Sequence, residues 1–473
     1  MVTDRYNFPH FRRLYASTGG STFVPFLIAY KNMNQKIGLC ALLSAFFVAG
    51  VHAREKVATR GYEAEQAKAD TSETAKSPRL QIGGYGEAVM QRMFYSDDVA
   101  RYSSPERYKN GTHGRFDLPH VVFYLGYDFG RGWKLGTEVE FEHGGAGVAI
   151  EIENEESGEY EREIEKGGEV ALEQFWIEKT WSERAALRMG HVIVPVGLTN
   201  LYHTPTDFFS VLRPEEETSI LPCTWHETGV TFRGRIEKWR YEALFTVGLD
   251  AERFNNANWI KGGSTSPYEF SIANRYAGVI RIDNFSVKGL RVGLSGYYGH
   301  SGHNSLKSTR YKNRNITGAV TTGTLDAVYD NRNVLFRGNL IYGHLSDSYL
   351  ISAVNTSLPS ASPSPRTATG SDVLSWYAEL GYDLIPFFFG KKNSAEKLYV
   401  YGHYGYCNAM YKTAGDIQAK AWCEKNILAV GVNYFPLRSI VVKAEYRLRR
   451  FSAPYNNEPV FSLGIGYASL FER

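Results

Sequence analysis

Glu227, Thr231, Arg233 and Arg235 take alternate positions of one short segment, and Thr228, Val230, Phe232 and Ile236 take the positions between them. A period of two sends successive side chains to opposite faces of a sheet. One face therefore carries fixed charge, and its chemistry is electrostatic. A guanidinium holds an oxyanion through paired N–H donors, and a carboxylate attracts a cation. Arg188, Arg337, Lys443 and Arg447 fall on the polar faces of comparable segments. Arg213, Asp207 and Glu215 sit in the Pro-, Thr- and Glu-rich stretch between Leu187–Val196 and Glu227–Ile236. Two arrangements of these side chains are open. The basic ones form a ladder opposite the acidic side of the stretch, or they are ordinary inward charges paired with Glu227, Glu242 and Glu445.

A face bearing two arginines and a glutamate cannot line a dry core. If it is the inside, the inside is wet and the apolar face meets lipid, the inversion that marks a membrane β-barrel. The same alternation recurs along the chain. Val121, Phe123, Leu125, Tyr127 and Phe129 oppose His120, Tyr124 and Asp128, and Trp133, Leu135, Val139 and Phe141 oppose Lys134, Glu138, Glu140 and Glu142. Trp239, Tyr241, Phe245, Val247 and Leu249 oppose Arg240, Glu242 and Asp250. Ile440, Val442, Tyr446 and Leu448 oppose Lys443, Glu445, Arg447 and Arg449. After Leu80 no apolar run approaches the ~18 residues of a spanning helix. Short connections such as Glu237–Lys238 alternate with long ones near 95–114, 144–168, 197–226, 251–269, 301–319 and 347–370. The pattern predicts an all-β transmembrane antiparallel barrel of about sixteen strands, wide enough for an aqueous lumen. Its 32 Tyr and 27 Phe suit the aromatic girdles of such a barrel.

Residues 33–53, MNQKIGLCALLSAFFVAGVHA, read as a secretory signal peptide: Lys36, an apolar stretch Ile37–Val48, and Val-His-Ala at the cleavage site. Residues 1–32 are then an over-extended N-terminus, 54–78 a flexible periplasmic lead-in, and 79–473 the barrel domain. The chain has 53 Lys+Arg against 50 Asp+Glu, and residues 1–53 hold five basic residues and one acidic. The remainder is close to neutral, so nothing in its overall charge points to nucleic acid as a partner.

Arg188-Met-Gly-His-Val-Ile-Val-Pro-Val-Gly-Leu198 resembles the strand before the third loop of the phosphate-selective porin (O/P) family. Ala429–Pro436 followed by Val441–Tyr446 is similar to the late hairpin of that family. The resemblance covers residues 80–473. It implies a passive diffusion channel in the outer membrane of a Gram-negative cell, homotrimeric, with Gly197–Thr224 folded into the lumen as a constriction loop. The implied partners are small hydrophilic solutes or inorganic anions, with outer-membrane lipid and lipopolysaccharide around the barrel. Phosphate-selective members carry lysines on that loop. Here it has none, and its one basic residue, Arg213, sits with Asp207, Glu215, Glu216 and Glu217. A general porin is the safer expectation, with anion or phosphate preference as its finer form.

Cys407 and Cys423 lie eight residues either side of Gly415, so a hairpin centred there would set them face to face as a cross-strand disulfide. Cys223 has no such partner. The acidic run Glu151–Glu169 fits no calcium-loop spacing and reads as a solvated loop. His191, His203, His226, His300, His303, His344 and His403 are scattered, so neither a metal nor another cofactor is expected. No nucleophile elbow or nucleotide loop is present. The rival readings are an outer-membrane barrel enzyme (lipase or protease) and a surface adhesin built on the long loops. The signal-peptide reading has a direct test: N-terminal sequencing of exported protein is expected to give Arg54. Any retained residue upstream of Met33 overturns it.

Overall fold

The structure, a computed structural model, describes residues 79–145, 169–264, 271–305, 315–331, 333–357, 367–390 and 395–472. The segments 1–32, 33–53 and 54–78 lie outside the described residues, as does the acidic run Glu151–Glu169 up to residue 168.

Sixteen strands follow one another: β1 (Leu80–Met93), β2 in two pieces (His113–Asp117 and His120–Gly130), β3 (Trp133–Glu142), β4 (Glu169–Ser182), β5 (Ala185–Ile193), β6 (His226–Ile236), β7 (Trp239–Val247) and β8 (Tyr276–Asn284). Then come β9 (Leu290–His300), β10 (Ala319–Asn331), β11 (Val334–Leu345), β12 (Asp372–Asp383), β13 (Lys397–Lys412), β14 (Glu424–Leu437), β15 (Ile440–Arg450) and β16 (Glu458–Glu472). Each pairs antiparallel with its neighbours in sequence, and β1 pairs β16 from Gln81 opposite Glu472 to Met93 opposite Val460. The sheet therefore closes on itself and has no edge strand. β2 is interrupted at Leu118-Pro119, where proline has no N–H to give the ladder.

One rim of the barrel carries the short connections, apart from the longer one between β12 and β13 with its helical turn at Ile385–Phe389. Glu237, Arg131 and Gly132 take left-handed φ values of 52°, 55° and 75° there. The other rim carries the long connections, which include 413–423 and 451–457 besides those the sequence indicated. Outward positions are apolar and exposed: Phe123, Val230, Phe232, Ile280, Leu294, Leu325, Val400, Val430 and Ile465. The polar inner face of β6 is as expected, with Glu227 and Thr231 buried and Thr228, Val230, Phe232 and Ile236 exposed.

The interior is not wet throughout. Toward the long-loop rim the loops turn inward and build a dry apolar core that includes Trp225, Phe254, Trp259, Ile260, Ile316 and Ile351, packed on inward Val279, Val320, Ile341 and Val373. Each fully buried side chain of this kind contributes on the order of 1.5–3 kcal/mol. This corrects two expectations. Val247 and Leu249 do not extend the exposed outer face of β7: Val247, the last wall residue, is covered, and beyond it the chain leaves the wall and buries Leu249 in this core. The lumen is filled at this end where an aqueous one was expected.

The cysteine expectation fails on register. β13 and β14 pair Cys407 with Lys425, so the hairpin turns about Asp416 and not Gly415. Cys407, Cys423 and Cys223 are free thiols, and Cys423 Sγ donates to the carbonyl of Asn256 at 3.2 Å. Denatured mature protein is accordingly expected to show three reactive thiols without reductant. A count of one, rising after reduction, would restore the disulfide.

Candidate functional site

The chain between β5 and β6, residues 194–225, lies inside the barrel, and nearly all of it is buried. A fork at its base holds it. Asn200 donates through Nδ2 to the carbonyls of Val194 (2.6 Å) and Trp225 (3.3 Å) and accepts from the Trp225 N–H, tying both ends of the loop together. Glu217 then closes the first turn. Its carboxylate accepts the N–H groups of Leu198, Thr199 and Asn200 at 3.0–3.2 Å and Asn339 Nδ2 of β11 at 2.5 Å. Gly197 has φ +84° there, and a Cβ on it would sit 2.1 Å from Glu217 Oε1. Only glycine fits.

Glu217 belongs to one short helical turn, α1 (Glu215–Thr218), whose three carboxylates reach different parts of the wall. Glu216 pairs with His403 of β13 at 2.8 Å, and His403 in turn faces Glu379 of β12 at 3.3 Å. Glu215 pairs with Lys425 of β14 and Arg449 of β15, each at 2.6 Å. Burial alone would raise the Glu215 carboxyl. Arg449, Lys425 and Arg447 outweigh it and hold the group well below the usual carboxylate range. Elsewhere Lys443 of β15 donates to the carbonyls of Phe208 and Ser210, both at 2.8 Å, and Phe209 stacks on Tyr401. Arg281 of β8 donates to Gly197 O at 2.9 Å.

The residues singled out from sequence all lie on the inner face or the inward loop, but they do not form a free basic ladder. Arg188 and Arg233 share Glu178 of β4, at 2.9 and 2.8 Å. Arg447 pairs with Glu445 at 3.0 Å, and Arg235 donates to the Glu237 carbonyl near the tight-turn rim. Asp207 caps its own loop, accepting from the N–H and hydroxyl of Thr204. Arg337 is 1% exposed and stands 4.0 Å from Glu379. Arg213 reaches Tyr85 Oη of β1 at 3.3 Å and lies 3.9 Å from Glu140.

Sequence reasoning missed two groups. On β7–β10, Arg240, Arg281 and Arg291 interlock with Asp283 and Asp326 at 2.7–3.1 Å. The alternation Arg281, Asp283 was there to be read. On β1–β4, Glu87, Glu138, Glu140 and Glu173 gather around Arg213, His120 and His203. Glu173 is inward because β4 carries a bulge: Glu138 pairs Gln174 while Val139 pairs Leu172, leaving Glu173 as the extra residue. The spacing of exposed Leu172 and Phe175, three apart where two is the rule, was its signal.

No protein-family model matches the chain. An uncharacterized protein of Aquifex aeolicus is 26% identical over 370 residues, 78% of this chain and 75% of that one. Among solved structures, OmpF of Salmonella typhi in complex with daunomycin aligns with a TM-score of 0.46 and 11% identity, covering 84% of this chain and 98% of that one. A loop L8 deletion mutant of OmpT, an outer membrane protein of Vibrio cholerae, gives 0.45 and 12%, over 83% of this chain and 100% of that one.

Two outcomes follow from the loop's anchoring. Glu217→Ala orphans three buried N–H groups and is expected to destabilise the barrel by ~3 kcal/mol or more, read from the denaturant midpoint. Glu215 has a lowered folded value, so its contribution is complete above the ordinary carboxylate value of about 4.3 and fades as pH falls through the folded one. Stability should hold from neutral pH to about 4 and decline below it. Glu215→Gln should flatten that decline; an unchanged acid limb would show that the pairs with Lys425 and Arg449 do not matter.

Proposed function

We propose that this protein is an outer-membrane channel that passes small hydrophilic solutes and ions by diffusion, restricted by the loop 194–225. The closed sheet with exposed Phe, Val, Leu and Ile outside is suited to lipid, and the signal-peptide reading of residues 33–53 supplies the route of export. One observation carries the transport reading. Along the seam between loop and wall, Glu216 Oε2, Arg291 Nη2, Asp326 Oδ2, Asn339 Oδ1, Glu379 Oε2 and Asn433 Oδ1 make no hydrogen bond to protein. Buried polar groups pair with protein or with individual bound waters, so the seam suits ordered water, and the charged inner face beside it, with Arg281, Asp283, Asp326, Lys443, Glu445 and Arg447 directed inward, suits an aqueous path. A homotrimer in lipopolysaccharide-rich membrane belongs to the same reading and rests on the family resemblance.

Ion preference follows from how the inward charges are partnered. The basic side chains on the inner wall are largely paired, whereas Glu140 and Glu173 share Arg213, and Glu87 stands between Lys443 and Arg213. Rings of like charge bias the permeating ion, and this sector favours cations. A second reading keeps the phosphate preference that the family resemblance implies, and Arg337 favours it. Its Nε and Nη2 make no hydrogen bond, and that forked edge suits an oxyanion.

Planar-bilayer conductance of refolded protein across a KCl gradient separates these. Small stepwise conductance with a cation-side reversal potential, indifferent to added phosphate, is the expected result. Block by phosphate that disappears in Arg337→Gln would establish the second reading. Absence of conductance from protein with verified barrel structure would overturn both.

A further inference from the structure

The carboxylate sector holds a more specific arrangement. A ring nitrogen of His203 and one oxygen each of Glu138 and Glu173 lie within 4.8 Å of one another. Glu173 is 0% exposed, Glu138 8% and His203 9%. They come from three elements: β3, the bulge of β4, and the inward loop. The orientation of His203 is set from behind. Its Nδ1 lies 3.0 Å from the carbonyl of Asn200, which can only accept, so Nδ1 carries the proton and Nε2 keeps its lone pair. Nε2 makes no hydrogen bond among the described residues. The imidazole is thus a buried ring beside two carboxylates, with Nε2 the nitrogen able to bind a metal and the far N–H fixed by a backbone carbonyl. That back-side bond is the usual second partner of a metal-bound histidine.

The carboxylates are steadied in the same way. Glu173 accepts from the hydroxyl of Thr224 and, at 3.4 Å, from that of Tyr85, and Glu138 accepts from Gln174 Nε2. Glu140 and Glu87 stand nearby, and Arg213 is the guanidinium among them. Glu138 and Glu173 are both buried with carboxylate oxygens within 4.8 Å of one another, which is costly in a low-dielectric interior, and a divalent cation held between them would lower that cost.

We propose that His203, Glu138 and Glu173 form a binding site for a divalent transition-metal ion of the zinc class, which clamps the inward loop to the β3–β4 wall. Imidazole with two carboxylates suits zinc, manganese, cobalt or nickel, whereas calcium and magnesium sites are built from oxygen. Three protein ligands leave a position for water or for the Thr224 hydroxyl. The neighbouring group His120, Glu140 and Glu142 competes less well, because His120 Nδ1 is already engaged by Glu140 at 2.6 Å and its Nε2 faces Glu87 at 3.9 Å.

The test is direct binding, measured in detergent on folded protein and independent of any conductance. After equilibration with zinc and dialysis, elemental analysis is expected to give one zinc per chain. Cobalt in its place should give visible d–d absorption of an imidazole–carboxylate site. His203→Asn, which can still donate to the Asn200 carbonyl, should weaken zinc at least about tenfold. Glu138→Gln, on a separate wall strand, should do the same, and His120→Asn should leave affinity unchanged. Loss of zinc in His120→Asn with retention in His203→Asn would overturn the assignment, as would no zinc on a barrel of verified fold. A conducting barrel that binds no zinc refutes this inference alone; a zinc-binding barrel that does not conduct refutes the channel reading alone.

Discussion

A closed sheet with charge on its inner face must neutralise that charge from within, and here one carboxylate starts that process. Glu217 gathers the first three free N–H groups of the inward loop and Asn339 of the wall, which fixes the loop's entry angle. Its helical neighbours Glu216 and Glu215 are thereby aimed at His403 and at Lys425 and Arg449. Three consecutive glutamates on one short turn thus reach five strands, β11 to β15. Leaving any of those cations buried without its carboxylate would cost several kcal/mol, so loop and wall specify one another.

The barrel was legible because exposed apolar side chains outside and charge inside reinforce the period of two. β6 and β15 read cleanly: Arg233 and Thr231, or Lys443, Glu445 and Arg447, point in while their neighbours point out. β11 read less cleanly, since inward Arg337 and Asn339 are flanked on the same face by Leu335, Ile341 and Leu345, the last two packed into the dry core, while Phe336 and Leu340 point outward. With apolar residues at both ends of the inner face, the alternation is blurred. The loops that build that core come from distant positions in sequence, and no local pattern announces them.

The candidate site was legible in membership but not in pairing. Arg188, Arg233, Arg447 and Lys443 were placed on the right face, yet Glu178, which binds the first two, is chosen by the register of β4 on β5 and by the reach of β6. Register also undid the cysteine pair, by a shift of two residues. A bulge hid Glu173, and with it the meeting of Glu138 and His203. Residues far apart in sequence meet only once pairings are fixed, and one extra residue in a strand reverses which side chain enters the lumen.

The wall is also hollowed where the loop touches it. Cβ atoms at Gly381 and Gly405 would fall within 2.2 Å of Phe209 and 1.9 Å of Glu216. Since Arg213 meets β1 while Glu215 meets β14 and β15, the loop's binding surface does not exist until strands from both ends of the chain stand side by side. Loop docking and ring closure are therefore one event in assembly. A chain with its last strands unpaired would hold this loop outside, where its buried glutamates and aromatics are free to meet water or other chains.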